Sequence, residues 1–115
     1  MLQWSADFAD ENEAAAWADD LATPWLGVNF TCNAELNAEA AELWASADLE
    51  TRCRALPVST LVVNGTEDIR PGWSVDSLVG ALPYVQRIDL EGAGHLPWVE
   101  DPDGFKAAVI RFLGT

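Results

Sequence analysis

Val58-Ser59-Thr60-Leu61-Val62-Val63-Asn64-Gly65 and Val85-Gln86-Arg87-Ile88-Asp89-Leu90-Glu91-Gly92-Ala93-Gly94-His95 are two apolar runs, each stopping at a turn that contains glycine. The first run is short and β-branched from Val58 to Val63, the second spans Val85 to Leu90, and both predict strands. Between them Val75, Leu78, Val79 and Leu82 recur at i, i+3, i+4 and i+7, the apolar stripe of a helix packed on a sheet. The order is therefore strand, helix, strand. Such a crossover is right-handed and joins parallel strands, so the C-terminal ends of both strands lie on one edge of the sheet. That edge receives Asp68 after the first turn and His95 after the second. A carboxylate beside an imidazole fixes the ring tautomer and stabilises the imidazolium that forms when the ring takes a proton. Asp68 and His95 are thus a candidate acid and base, two of the three parts of a nucleophilic triad.

Before this unit the chain reads as helical. Asp10 stands three residues before Glu13, a capping pair for a helix from about Glu11 with Ala14, Trp17, Ala18 and Leu21 as its stripe. Thr23-Pro24 and Gly27 break that pattern. Asn33 is a candidate cap for a second helix with Leu36, Ala40, Leu43 and Trp44 on one face, and Asp48 opens a shorter third one with Leu49, Cys53 and Leu56. Three helices are expected before the first strand. At the other end, Asp101-Pro102 is a helix start with Asp as cap and Pro at the first helical position, and Phe105, Ala108, Val109 and Phe112 form the stripe of the helix that Gly114 ends.

The balance of 19 acidic against 6 basic residues, a net charge of -13, repels phosphate backbones and anionic lipid, so nucleic acid and membrane surfaces are excluded as expected partners. No apolar run long enough to span a bilayer and no secretory leader is visible, which makes the cytoplasm the expected location and leaves secretion of a longer parent open. Cys32 and Cys53 are too few for a disulfide framework, and with one histidine they make a poor zinc set; reduced thiols, no metal and no cofactor are expected.

The runs Leu61-Val62-Val63-Asn64-Gly65-Thr66-Glu67-Asp68-Ile69-Arg70-Pro71 and Leu90-Glu91-Gly92-Ala93-Gly94-His95-Leu96-Pro97-Trp98-Val99-Glu100 resemble the C-terminal part of an α/β-hydrolase, nearest to proline iminopeptidase-like serine hydrolases. The resemblance implies an α/β fold class, specifically the C-terminal portion of an α/β-hydrolase fold: a helical cap remnant, residues 1–55, then strand-helix-strand-helix with parallel strands, residues 56–115. It maps Asp68 onto the triad acid and His95 onto the base. Gly27 to Trp44 is similar to the end of the helical cap such enzymes carry over the active site. The implied activity is ester or amide bond hydrolysis on a small-molecule or peptide substrate.

The family's nucleophile sits in G-x-S-x-G on a strand-to-helix turn, and no such motif occurs here. The nearest string, Gly72-Trp73-Ser74-Val75-Asp76, lacks the second glycine and follows Arg70-Pro71 rather than a strand, so Ser74 reads as structural. The oxyanion loop is missing as well, and the isolated chain is expected to be inert. Other roles compete for the singled-out residues. His95 could be a turn histidine, and Asp68 an Asx-turn residue; their shared placement favours the catalytic pair. Glu67 is a neighbouring carboxylate, Arg70 a candidate salt-bridge partner, Trp73 a packing residue, and Trp98 either packs or lines a substrate pocket. Two further readings remain. One is a noncatalytic interaction module whose open first-strand edge takes another chain or a second copy, whereas a complementing N-terminal hydrolase segment is the partner the hydrolase reading implies. The other is an inactive truncated hydrolase.

Overall fold

The computed structural model describes residues 2–114, with side chains from Trp4 onward; Met1 and Thr115, the outer ends of the two expected segments, lie outside the described residues. Helices α1 (Leu2–Ser5), α2 (Ala14–Ala22), α3 (Phe30–Ala45) and α4 (Asp48–Arg54) precede strand β1 (Thr60–Gly65). Helix α5 (Gly72–Ala81), strand β2 (Val85–Leu90), the short α6 (Pro97–Glu100) and α7 (Pro102–Leu113) follow. The chain is mixed helix and strand, with a parallel two-stranded sheet in which Thr60 pairs with Val85 and Gly65 with Leu90. α7 packs against both strands, α5 against β2 and α4, and α6 against α7 and β1.

Several expectations need correction. β1 begins two residues later than the apolar run and continues through Asn64 and Gly65, because pairing follows the partner strand: Thr60 N–H donates to Tyr84 at 2.8 Å, while the Asn64 side-chain amide donates to Asp89 at 3.1 Å. Val58 is left exposed. Among the described residues four helices, not three, precede β1. The second of the expected helices starts at Phe30 rather than after Asn33, since Asn29 caps it by accepting the Cys32 N–H at 3.0 Å. Asp10 accepts the N–H groups of Asn12 and Glu13, but only a turn forms there, and α2 starts at Ala14. At α7 the Asp101 cap accepts from Gly104 N–H at 2.9 Å.

The core sits where the N-terminal segment meets the β2–α7 connection. Phe8, Ala14 and Ala18 are buried, Trp17 stacks at a tilt on Phe8 with ring centroids 5.2 Å apart, and Leu96 and Val99 close the cluster. Elsewhere burial is thin. No residue of α3 is buried, and among the described residues no large side chain is completely enclosed. The accessible surface of 8428 Å² compares with roughly 6,200 Å² for a compact monomer of this size. The radius of gyration of 16.4 Å compares with about 13 Å. No helix among the described residues is long and apolar enough to cross a membrane.

Candidate active site

Both strands end on the same edge, and two glycines let their turns interlock. A Cβ on Gly65 would run into the backbone carbonyls of Ala93 and Gly94, and one on Gly94 into Asp7 O, Ala9 N and the Glu100 carboxylate. With that space open, Thr66 N–H donates to Leu90 O at 3.1 Å, Glu67 N–H to Ala93 O at 2.9 Å and Gly92 N–H to the Thr66 hydroxyl at 3.0 Å. The turns are thereby one unit, and each carries its side chain to the same place.

His95 Nδ1 lies 2.7 Å from Asp68 Oδ2. An ionised carboxylate only accepts, so Nδ1 carries the proton and donates it, leaving Nε2 as the ring nitrogen able to take another. The other carboxylate oxygen of Asp68, Oδ1, accepts Arg70 N–H at 2.9 Å. Asp68 therefore does hold an Asx-type turn, and holds it with the oxygen that does not face the imidazole. Burial pushes the Asp68 carboxyl up, but the bonds from His95 and from Arg70 N–H, with the charges of both side chains, together outweigh it and hold its pKa below the ordinary 3.8. The pair is sheltered: the Asp68 side chain is 15% exposed and that of His95 35%.

Arg70 reaches Asp7 Oδ1 at 2.8 Å and stands 3.6 Å from Asp68 Oδ1, so its guanidinium bridges the N-terminal segment to the acid. The bond to Asp7 raises the already high Arg70 pKa. His95 N–H donates to Asp7 O at 2.6 Å. Glu100 accepts three backbone N–H groups, from Ala9 at 2.7 Å and Asp10 at 3.0 Å on Oε1, and from Gly94 at 2.6 Å on Oε2.

His95 opens onto a cavity of about 370 Å³ lined by Trp4, Asp7, Leu21, Arg70, Leu96 and Trp98. Trp98 is half-exposed there, with its ring edge-on to Phe105 at 6.1 Å. Trp73 is not a packing residue: it is 69% exposed on α5 and away from this cavity. Glu67 lines a separate cavity with Phe8 and Ile69 and makes no bond to His95. Ser74 Oγ donates to Pro71 O at 2.8 Å in the first turn of α5 and lines a groove with Trp44 and Cys53. Among the described residues lining the His95 cavity there is no hydroxyl or thiol. Cys32 and Cys53 are free thiols, and among the described residues no three His, Cys, Asp or Glu side chains group as metal ligands would.

Asp7 and Glu100 escape pattern reading, because neither is periodic and both act on backbone groups. The signal for Glu100 is its place just after His95, at the end of the short helix that Pro97 opens. Asp7 leaves only a faint trace, an acid between Trp4 and Phe8. No protein-family model matches the chain, and a search of curated proteins finds no match.

Proposed function

We propose that the chain is the acid-and-base part of a serine hydrolase of α/β-hydrolase fold, similar to proline iminopeptidase-like enzymes and cleaving an ester or amide bond. The observation that carries this is the 2.7 Å pairing of His95 Nδ1 with Asp68 at the C-terminal ends of two parallel strands, beside a cavity in which Trp4, Leu21, Leu96 and Trp98 join Asp7 and Arg70. In this mechanism a serine supplied by sequence outside these residues, or by a partner chain, attacks the substrate carbonyl while His95 Nε2 takes its hydroxyl proton. Asp68 stays ionised, keeps the proton on Nδ1 and stabilises the imidazolium. His95 then passes the proton to the departing amine or alkoxide, and water repeats the cycle to release the acyl group. The depressed Asp68 pKa supports this division of labour, since an acid that stays ionised orients and stabilises rather than exchanging protons.

A fluorophosphonate probe and proline arylamides test the reading. The isolated chain is expected to remain unlabelled and inert. Addition in trans of a segment carrying G-x-S-x-G and the oxyanion loop is expected to produce turnover that His95→Ala abolishes. Turnover by the isolated chain that disappears in Ser74→Ala would overturn the structural role given to Ser74.

A noncatalytic interaction module is the second reading, and the surface favours it. The accessible area of 8428 Å² exceeds that of a compact monomer by roughly 2,000 Å², more than the about 800 Å² that one partner contributes to a standard interface. α3 adds Phe30, Leu36, Leu43 and Trp44 to that exposed surface. Association without any gain of hydrolysis in the same complementation experiment would select it.

A further inference from the structure

We propose that Glu100 is the positioning residue of the His95–Asp68 pair: its carboxylate clamps the His95 turn to the N-terminal segment, and without it the imidazole is no longer held on Asp68. The catalytic meaning of this clamp rests on the hydrolase reading; the clamp itself does not. His95 lies in a turn and belongs to no helix or strand, so no ladder of hydrogen bonds fixes its backbone. Its place is set by the bonds on either side.

On one side Gly94 N–H donates to Glu100 Oε2 at 2.6 Å. On the other, His95 N–H donates to Asp7 O at 2.6 Å, and the Asp7 segment is held in turn by Ala9 N–H and Asp10 N–H on Glu100 Oε1. The Asp7 carboxylate holds Arg70, which adjoins Asp68, which accepts from His95. These contacts close a ring that enters Glu100 by one carboxylate oxygen and leaves by the other. An ionised carboxylate offers about four acceptor sites and makes charge-assisted bonds stronger than neutral ones, so one side chain can satisfy three converging donors. The Asp10 N–H is the donor a capping-box glutamate would have taken; here it goes to Glu100 instead of Glu13. The absence of a side chain at Gly94 is what lets Asp7, Ala9 and Glu100 approach together. Glutamine at position 100 keeps the shape but has one acceptor oxygen, and its NH₂ group then faces an N–H donor.

His95 is the chain's single histidine, so its ring can be read without ambiguity. Long-range proton–nitrogen spectra of the ¹⁵N-labelled chain, at mildly alkaline pH where an ordinary imidazole is neutral, are expected to show one tautomer with the proton on Nδ1. In Glu100→Gln we expect a mixture of tautomers, approaching that of Asp68→Asn, with Gly94 amide exchange faster by about tenfold or more, while the β1 and β2 amide shifts stay in place. A Glu100→Gln chain that keeps the single Nδ1–H tautomer would overturn the proposal, leaving Glu100 a structural side chain only. If that variant does not fold, hydrogen exchange in the unaltered chain decides: Ala9 and Gly94 amides protected together support the clamp, and unprotected exchange at either one overturns it. Failure of the hydrolase reading looks different, since a complemented chain inert toward arylamides would leave the ring spectrum unchanged.

Discussion

The two halves of this molecule are held in opposite ways. From Thr60 to Asp101 the backbone is bound residue by residue: two paired strands, two interlocked turns, and a carboxylate that gathers three N–H groups. From Trp25 to Leu56 a 16-residue helix and its neighbour form with good local chemistry, an Asn29 cap and an Arg54–Glu50 pair four residues apart, yet α3 and α4 bury no residue. Local propensity makes helices; only packing against something else makes them part of a core. The candidate site lies wholly in the tightly bound region and in the N-terminal segment fastened to it, so its geometry does not depend on what α3 touches.

The largest expected effect is on chemistry in the complemented protein. Asp68→Asn keeps the shape of the side chain but lets the imidazole take the wrong tautomer, and a loss in kcat of about 10⁴-fold is expected; His95→Ala is expected to lose at least as much. Substitutions on α3 such as Phe30→Ser are expected to leave kcat unchanged. A comparable loss from α3 would show that the two regions work as one and would break the distinction.

Next in size is the fit of the turns. Gly65→Ala drives a methyl group into the carbonyls of Ala93 and Gly94, which are backbone and cannot swing aside. The expected loss of stability is about 1–3 kcal/mol or more, read as a lower urea midpoint, together with loss of the single His95 tautomer. Gly72→Ala, where a Cβ meets open space, is the control and is expected to be neutral or slightly stabilising.

Acid should act on the Asp68 region. The folded pKa of Asp68 lies below its unfolded value, so in the window between them the unfolded chain binds more protons and stability rises with pH. Its contribution is fully present above the ordinary value of 3.8 and is lost as pH falls through the lower folded value. The urea midpoint of the native chain, followed from neutral pH down through that window, is expected to fall more steeply than that of Asp68→Asn. Parallel curves would mean that the pairing with His95 and Arg70 contributes nothing to folding.

The strand–helix–strand order, its parallel sense and the meeting of Asp68 with His95 are legible because each rests on a short-range pattern: period, turn glycines and the handedness of a crossover. The register of β1 is not, since Asn64 and Gly65 look like turn residues until Asp89 and Leu90 are opposite them. The α3 stripe of Leu36, Leu43 and Trp44 is legible as a stripe but not as exposed, for periodicity says which residues share a face and nothing about whether that face is covered. Trp73 fails for the same reason. Glu100 and Asp7 are missed because they serve backbone donors that no side-chain pattern announces.

The smallest expected effect is the one that tests the loosely packed half directly. Leu36 is 60% exposed and Leu43 39%, so a change to serine removes little area that folding had taken from water. Surface changes of this kind usually stay within about 0.5 kcal/mol, whereas a buried leucine cut to alanine costs about 2–5 kcal/mol. The double variant Leu36→Ser with Leu43→Ser is therefore expected to unfold at nearly the same urea concentration as the native chain. Its association should differ. An apolar face of this extent on a dissolved chain draws a partner or a second copy, so sedimentation velocity is expected to show concentration-dependent self-association in the native chain that weakens in the variant. A fall in stability of core size, with sedimentation unchanged, would show α3 packed within its own chain and would erase the contrast between the two halves. Unchanged stability with weaker association would assign the exposed face to contact with another surface, and hydrogen exchange at Val62 and Val63, measured above and below the association range, would then show whether the outer edge of β1 is part of that contact.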